Sequence, residues 1–360
     1  MALSRFGIIF AAVLFFASAR AANRCADFFE FRFGPEFTVT SQEIVDEGNR
    51  NPTLASLERS PLKARAWREL VHRIQAKCQA SGECVTSMTR DKHARALLIS
   101  FANSYYITVG IDVSVIEANA APRTRSSFHQ NTEKVQQYFF DTAREMGLRP
   151  HERAGNGHIH ISREAFREHG EVLRNFFVDF QNRPELIFGA LGNHLLNSPP
   201  LAALKSEQRD ALETVLRDLD SKPAAALTIE RFVTVIEEQV YTHTFYAELD
   251  DPTYYQAFNM TRLKNKRNAT LEIRSFRPQE SARIYELQTK LLDTWIRRME
   301  SLEQSIPYVR KDRHEFTPGE MVASFRDLVR QLDLDWSEFK ILLPENLREI
   351  QPDPSYRSAV

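Results

Sequence analysis

Phe28 to Thr40 reads as a strand with one wet face: Phe33, Phe37 and Val39 share one parity, and Glu36, Thr38 and Thr40 share the other. A polar stretch leads from there to a helix from Pro61 to about Gln79, with Pro61 suited to its first turn. Tyr105 to Ala118 is the clearest β segment. Ile107, Val109, Ile111, Val113 and Val115 alternate there with Thr108, Gly110, Asp112 and Ser114. Glu117 falls on the apolar parity of this run, where a lone carboxylate is costly unless a bulge turns it outward or a cation neutralises it.

Helical spacing follows from about Thr132 to Met146, with a stripe of Val135, Tyr138, Phe139, Ala143 and Met146 and a stop at Gly147. Gly157 to Ser162 is a short strand, and further helices are predicted over 164–182, 184–196, 206–220 and 228–240. Asn259 to Leu263 and Ala269 to Phe276 pattern as two strands joined by the basic turn Lys264-Asn265-Lys266-Arg267-Asn268. After Pro278 comes the most regular helix, with Ile284, Leu287, Leu291, Leu292, Trp295, Ile296 and Met299 on one face, and another helix runs from Pro318 to about Leu332. Strands alternating with helices define an α+β or α/β chain. Without internal repeats or a low-complexity linker, the simplest division is one domain over 22–345 and a polar, Pro-containing tail over 346–360 expected to be disordered.

The composition is that of a globular chain: of 360 residues 42% are hydrophobic and 26% charged, and 25 phenylalanines are available to fill a core. Forty-seven basic residues against 48 acidic ones leave a formal charge of −1, so no global basic field exists to attract nucleic acid or an anionic membrane. Any contact with phosphate must be local.

The first residues read as an export signal. Arg5 is a short basic region, Phe6 to Phe16 is apolar or small throughout, and Ala17-Ser18-Ala19 and Ala19-Arg20-Ala21 both offer small-x-small cleavage sites. An apolar run of this length falls short of the roughly 30 Å hydrocarbon core of a bilayer. Residues 1–21 are therefore expected to be a signal peptide, and the mature protein to be secreted or periplasmic without a stable membrane span. Cleavage after Ala21 removes Arg5 and Arg20 and no acid, leaving 339 residues with 45 basic against 48 acidic, a net charge of −3. Cysteine usage fits an oxidising compartment: Cys78 and Cys84 enclose a short polar loop at a helix end and are expected to pair, which leaves Cys25 over.

Candidate chemistry sits on four short segments. In Gly157-His158-Ile159-His160-Ile161-Ser162, period-two geometry sends His158, His160 and Ser162 to one side and the isoleucines to the other. In Thr270-Leu271-Glu272-Ile273-Arg274-Ser275-Phe276 it sends Glu272 and Arg274 together, and Glu36, Glu117 and Asn119 complete the set. Singly, such patterns are also those of a solvated strand face or a cross-strand ion pair. Together they supply three carboxylates and imidazole, a donor set for a divalent cation, and an arginine fitted to a carboxylate or phosphate.

The order and context of these segments resemble a family. Gly155-Asn156-Gly157-His158-Ile159-His160-Ile161-Ser162 looks like the glycine-rich HxHxS strand of glutamine synthetase and the matching strand of the amidoligases. Ala257-Phe258-Asn259-Met260 followed after a basic turn by Thr270 to Phe276 and a long amphipathic helix looks like the amidoligase segment with the ExR motif. Phe33-Gly34-Pro35-Glu36 resembles the first-strand Gly-x-Glu, and Val115 to Pro122 resembles the second acidic strand shared with glutamate-cysteine ligases. The similarity spans about residues 31–300 in the same order.

The resemblance implies a glutamine-synthetase-like α+β fold, an antiparallel half-barrel sheet with flanking helices whose concave polar face holds metal, nucleotide and substrates. It implies Glu36, Glu117, His158 and Glu272 as metal ligands, His160 beside the transferred phosphate and Arg274 on a substrate carboxylate or phosphoryl group. Asn259 and Asn119 would contact substrate. Magnesium or manganese and ATP would be the cofactors, a small molecule or peptide with a carboxylate and an amine the substrate, and amide ligation through an acyl phosphate the reaction. One departure is Thr38, where the family's first strand commonly carries a second acid.

Export and ATP dependence pull apart, because little ATP is met outside the cytosol. Two alternatives follow: the same fold working without ATP as a metal-dependent amide hydrolase or peptide-binding protein, and a non-enzymatic secreted interaction domain. Asn259-Met260-Thr261 and Asn268-Ala269-Thr270 are glycosylation sequons, and Asn259 is expected to be unmodified because it lies in the site segment.

Overall fold

A computed structural model of the chain describes residues 30–50, 60–91, 94–112, 115–151, 154–155, 157–192, 206–221, 226–241, 256–264, 269–311 and 315–356. The expected signal segment 1–21, Cys25, Asn156 and turn residues 265–268 lie outside them. Among the described residues nine strands form one antiparallel sheet: β1 (Arg32–Val39), β2 (Cys84–Asp91), β3 (Ala94–Phe101), β4 (Tyr106–Asp112), β5 (Val115–Asn119), β6 (Arg123–Thr124), β7 (Ile159–Ser162), β8 (Phe258–Asn259) and β9 (Thr270–Ile273). Their order is β2-β3-β4-β5-β1-β7-β9-β8, with β6 paired to the start of β1. The architecture is thus a mixture of helices with an open antiparallel sheet.

Alternation along each strand gives the sheet two chemically distinct faces. On one, Phe37, Val39, Ile107, Val109, Ile116, Ala118, Ile159, Ile161, Leu271 and Ile273 are all buried. Helices cover this face. Phe37 packs against Phe139, Phe140 and Tyr285 with ring centroids 6.2, 5.0 and 5.3 Å away. Phe258 meets Phe176, Phe177 and Phe180 of helix Gly170–Gln181 at 5.4, 5.2 and 5.2 Å. Trp67 of helix Pro61–Ser81 donates its indole N–H to Val109 O at 3.1 Å. The stripe of the long helix Ala282–Glu300 is buried throughout, as its spacing predicts.

Several elements differ from expectation, each for a local reason. Tyr105 to Ala118 is not one strand but the hairpin β4–β5, in which Asp112 pairs with Val115 and Gly110 with Glu117. Chain reversal resets the parity, so Glu117 lands on the polar face without a bulge. The stretch 259–263 is strand only to Asn259, because the Asn259 side-chain carbonyl accepts the Thr261 N–H at 3.1 Å and turns the chain into the 3-10 turn Thr261–Lys264. The region 164–182 begins with the 3-10 turn Arg163–Phe166, and left-handed Arg167 and Glu168 (φ 46° and 61°) break it from helix Gly170–Gln181. Helix Gln42–Arg50 and the hairpin β2–β3 escaped the pattern. β2 is an edge strand whose Thr86, Ser87, Thr89 and Arg90 give little apolar signal.

Residues 346–356 also depart from the disordered tail expected there. Leu347 is buried, the Asp353 N–H donates to Gly319 O at 3.0 Å, and Lys311 Nζ sits 5.7 Å from the centre of the Tyr356 ring.

Cys78 and Cys84 have their sulfurs 2.00 Å apart, so the expected pair is bonded. Gly82 supplies the left-handed turn (φ 69°) that ends the helix between them, and the Tyr138 hydroxyl lies 2.6 Å from Ser81 Oγ and 2.8 Å from Glu83 Oε2. The closed loop is short, so the Cys78→Ser/Cys84→Ser double variant is expected to lose about 2 kcal/mol in urea unfolding under non-reducing conditions. No described helix is long and apolar enough to cross a membrane.

Candidate functional site

The polar face gathers the candidate residues by register. Glu36 of β1 pairs with Asn119 of β5, and Thr38 with Glu117. Across the other edge of β1, Gly34 pairs with His160, His160 with Glu272, and Glu272 with Asn259. Directly paired residues point to the same face, so five strands deliver one row of polar side chains. His158 joins through its carbonyl, which accepts the Glu36 N–H at 3.1 Å.

Three glycines let the backbone close around this row. A Cβ on Gly34 would lie 2.8 Å from Ala120 O, where the chain crosses from β5 to β6. One on Gly155 would lie 2.4 Å from Thr38 Oγ1, so the glycine loop fills the space that an acid at position 38 would need. One on Gly157 would lie 2.0 Å from Arg277 O, while the Gly157 N–H donates to Phe276 O at 3.2 Å. The obstacle is Arg277 backbone, which has little room to yield. Gly157→Ala is expected to cost about 3 kcal/mol and to displace His158, read as a lowered urea midpoint.

Glu272 is the hub. Its Oε1 lies 3.0 Å from His158 Nδ1 and accepts from Arg274 Nη1 at 2.8 Å, and its Oε2 accepts from Asn259 Nδ2 at 2.8 Å. Glu36 holds the other side: Oε1 is 3.4 Å from His158 Nδ1 and Oε2 is 3.4 Å from His160 Nε2. His160 Nδ1 lies 3.4 Å from Thr270 Oγ1. One strand over, Asn119 Nδ2 donates to Glu117 Oε1 at 2.9 Å. His158, Glu272, Arg274, Asn259 and Glu117 are buried, whereas the Glu36 and His160 side chains keep 13% and 17% of their surface. Of the residues packed around His158, Glu36 and His160 are therefore the ones that solvent reaches.

Burial opposes charge on Glu36, Glu272 and His158, and opposite charges overcome it. Burial alone would raise the Glu36 carboxyl, but the charge and hydrogen bond of His158, followed by those of His160, hold it well below its ordinary range. Burial likewise pushes Glu272 up, and His158 and Arg274 bring it down to about 2. For His158, burial and Arg274 favour the neutral ring, yet Glu36 and Glu272 raise its pKa above the usual imidazole value. In this arrangement the His158 ring and the Arg274 guanidinium face the Glu36 and Glu272 carboxylates.

Two groups of side chains have cation-ligand spacing. One ligand atom each from Glu36, His160 and Glu272 lie within 4.8 Å of one another, and so do atoms of Glu36, Asp112 and Glu117. Of the four residues expected to bind metal, Glu36 belongs to both groups, and Glu272 and Glu117 to one each. His158 belongs to neither, although its Nδ1 faces both Glu36 and Glu272. Asp112 was missed. Its position on the polar parity of β4 was visible in the sequence, but only the hairpin brings it beside Glu117. Arg274 and Asn259 lie in the cluster as partners of Glu272, and Asn119 as partner of Glu117. The described part of the Lys264–Arg267 turn, Lys264, pairs with Glu237. The Cys78–Cys84 pair stands apart at β2, four strands from β1.

The donor set fits a hard divalent cation: carboxylate oxygens dominate and imidazole completes it. Comparison with known protein families, curated proteins and solved structures returned no match. Fold and site therefore define the class by themselves: an α+β protein whose antiparallel sheet carries a carboxylate, imidazole and guanidinium cluster on its polar face.

Proposed function

We propose that this protein is an exported, amidoligase-like enzyme with a glutamine-synthetase-like fold, joining a carboxylate to an amine on a peptide or cell-wall-type substrate with magnesium or manganese and ATP. The observation that carries the reading is the convergence of Glu36, His158, His160, Glu272 and Arg274 on one polar sheet face. A bound divalent cation would neutralise charge on the nucleotide phosphates. Glu36, Glu272 and Glu117, with the His158 imidazole in its neutral form, are the residues that would hold it.

In the reaction the substrate carboxylate attacks the γ-phosphorus, the bond to the ADP oxygen breaks, and an acyl phosphate forms. The amine then attacks the acyl carbon, phosphate leaves, and the nitrogen loses a proton. Arg274 would bind a carboxylate or phosphoryl oxygen, with Glu272 fixing the guanidinium plane through Nη1. His160 would lie against the transferred phosphoryl group. Purified protein is expected to melt higher with magnesium or manganese, by the equivalent of about 2.7 kcal/mol at one hundred times the dissociation constant. It should release phosphate from ATP only with a carboxylate and amine present. No cation-dependent shift and no release would refute the reading.

The Cys78–Cys84 bond favours a second reading. Disulfides persist in oxidising compartments, where ATP is scarce, and the same cluster would there bind a peptide or hydrolyse an amide. Calorimetry with ATP and magnesium separates the two, since tight nucleotide binding belongs to the ligase alone.

A further inference from the structure

Asn259 sits where a substrate contact is expected, yet its surroundings give it another task. The side chain is buried at 2% exposure, on the two-residue strand β8 paired to β9 through Asn259 and Glu272. Its amide orientation is determined on one side: Oδ1 accepts the Thr261 backbone N–H at 3.1 Å, so the amide nitrogen must face the other way. There Nδ2 donates to Glu272 Oε2 at 2.8 Å. β8 itself is anchored, because the Tyr241 hydroxyl donates to Phe258 O at 2.8 Å.

We infer that Asn259 is a positioning residue that orients the Glu272 carboxylate for cation binding and does not itself bind substrate. Glu272 has its Oε1 committed to His158 and Arg274, and the Asn259 amide holds its Oε2 without adding charge. A carboxylate restrained at both oxygens keeps one rotamer as a cation arrives, which is how groups behind metal ligands raise affinity. A carboxamide does this where an acid would repel and a lysine would compete for the cation site. The same commitment takes Asn259 out of reach of glycan transfer in the folded protein, despite its sequon.

The inference rests on the cation reading of the site, and the test separates the two. Mn²⁺ binding is measured by loss of the free-ion EPR signal for wild type, Glu272→Gln, Asn259→Leu and Asn259→Ser, with near-UV circular dichroism confirming the fold. The expected result is binding by wild type, none by Glu272→Gln, and 10- to 100-fold weaker binding by both Asn259 variants. Asn259→Leu keeps the bulk without the amide, and Asn259→Ser serves if leucine does not fold. Wild-type binding with unchanged affinity in a folded Asn259 variant overturns the positioning role and leaves the cation reading intact. Failure of wild type to bind Mn²⁺ overturns both. A substrate contact would instead raise KM with Mn²⁺ affinity unchanged.

Discussion

Replacement of Glu272 by alanine is expected to abolish cation-dependent stabilisation and to lower the stability of the metal-free protein by about 3–5 kcal/mol. The carboxylate lies between His158 Nδ1 at 3.0 Å and Arg274 Nη1 at 2.8 Å, with all three side chains buried. Removing it leaves the His158 ring and the Arg274 guanidinium facing each other without the carboxylate between them, and takes away the acceptor of the Asn259 amide N–H. A carboxyl held at about 2 instead of its ordinary 4.5 carries ~3 kcal/mol of linkage, consistent with that loss. The pH dependence follows in sign. Because Glu272 is depressed, its contribution is present above about 4.5 and lost as pH falls through about 2. His158 is raised, so its contribution is full below about 6.5 and is lost as pH rises through its folded value. Urea midpoints of metal-free wild type should therefore fall at both ends, and Glu272→Ala should flatten both limbs. A variant retaining the wild-type profile would show that these charges do not interact.

Asp179→Ala is expected to cost a similar ~3–5 kcal/mol while leaving Mn²⁺ binding by any surviving folded protein unchanged. Asp179 lies on helix Gly170–Gln181, away from the polar sheet face, with its side chain 2% exposed. It accepts the Trp295 indole N–H at 2.7 Å and pairs with Arg183 Nε at 3.2 Å. Arg183, itself 1% exposed, also meets Asp327 at 3.3 Å and Gln331 at 2.9 Å of helix Pro318–Gln331, while the Trp295 bond ties Asp179 to the long helix Ala282–Glu300. Alanine would strand a buried indole donor and weaken the balance of a buried guanidinium. Asp179→Asn retains an acceptor for Trp295 and should recover part of the loss. Equal midpoints for Asp179→Asn and Asp179→Ala would assign the effect to the charge alone.

Legibility in the sequence tracked how local the cause was. Helix Pro61–Ser81 and helix Ala282–Glu300 were readable because a proline in the first turn and an apolar stripe are properties of contiguous residues. β7 was readable because His158, His160 and Ser162 oppose two isoleucines within a few residues. Glu117 was misread because parity carries no mark of where a strand reverses, and the β4–β5 hairpin reset it. Asp112 was invisible as a candidate for the same reason. The hairpin β2–β3 and the packed residues 346–356 depend on neighbours distant in the chain, which local composition does not encode.

The sequence by itself determined the residue types of the site and their faces, since a period of two commits Glu36, His160, Glu272 and Arg274 to the polar sides of their strands. It also determined the pairing candidates Cys78 and Cys84. The tertiary structure decided the rest. Antiparallel register set Glu36 beside His158 and His160, set Glu272 between His158, Arg274 and Asn259, and brought Asp112 to Glu117. Register is settled by burying the opposite, apolar face under helices from the whole chain, and a slip of one residue would send these charges into that core. Electrostatics of the cluster, and with it any affinity for a cation, exist only after that burial.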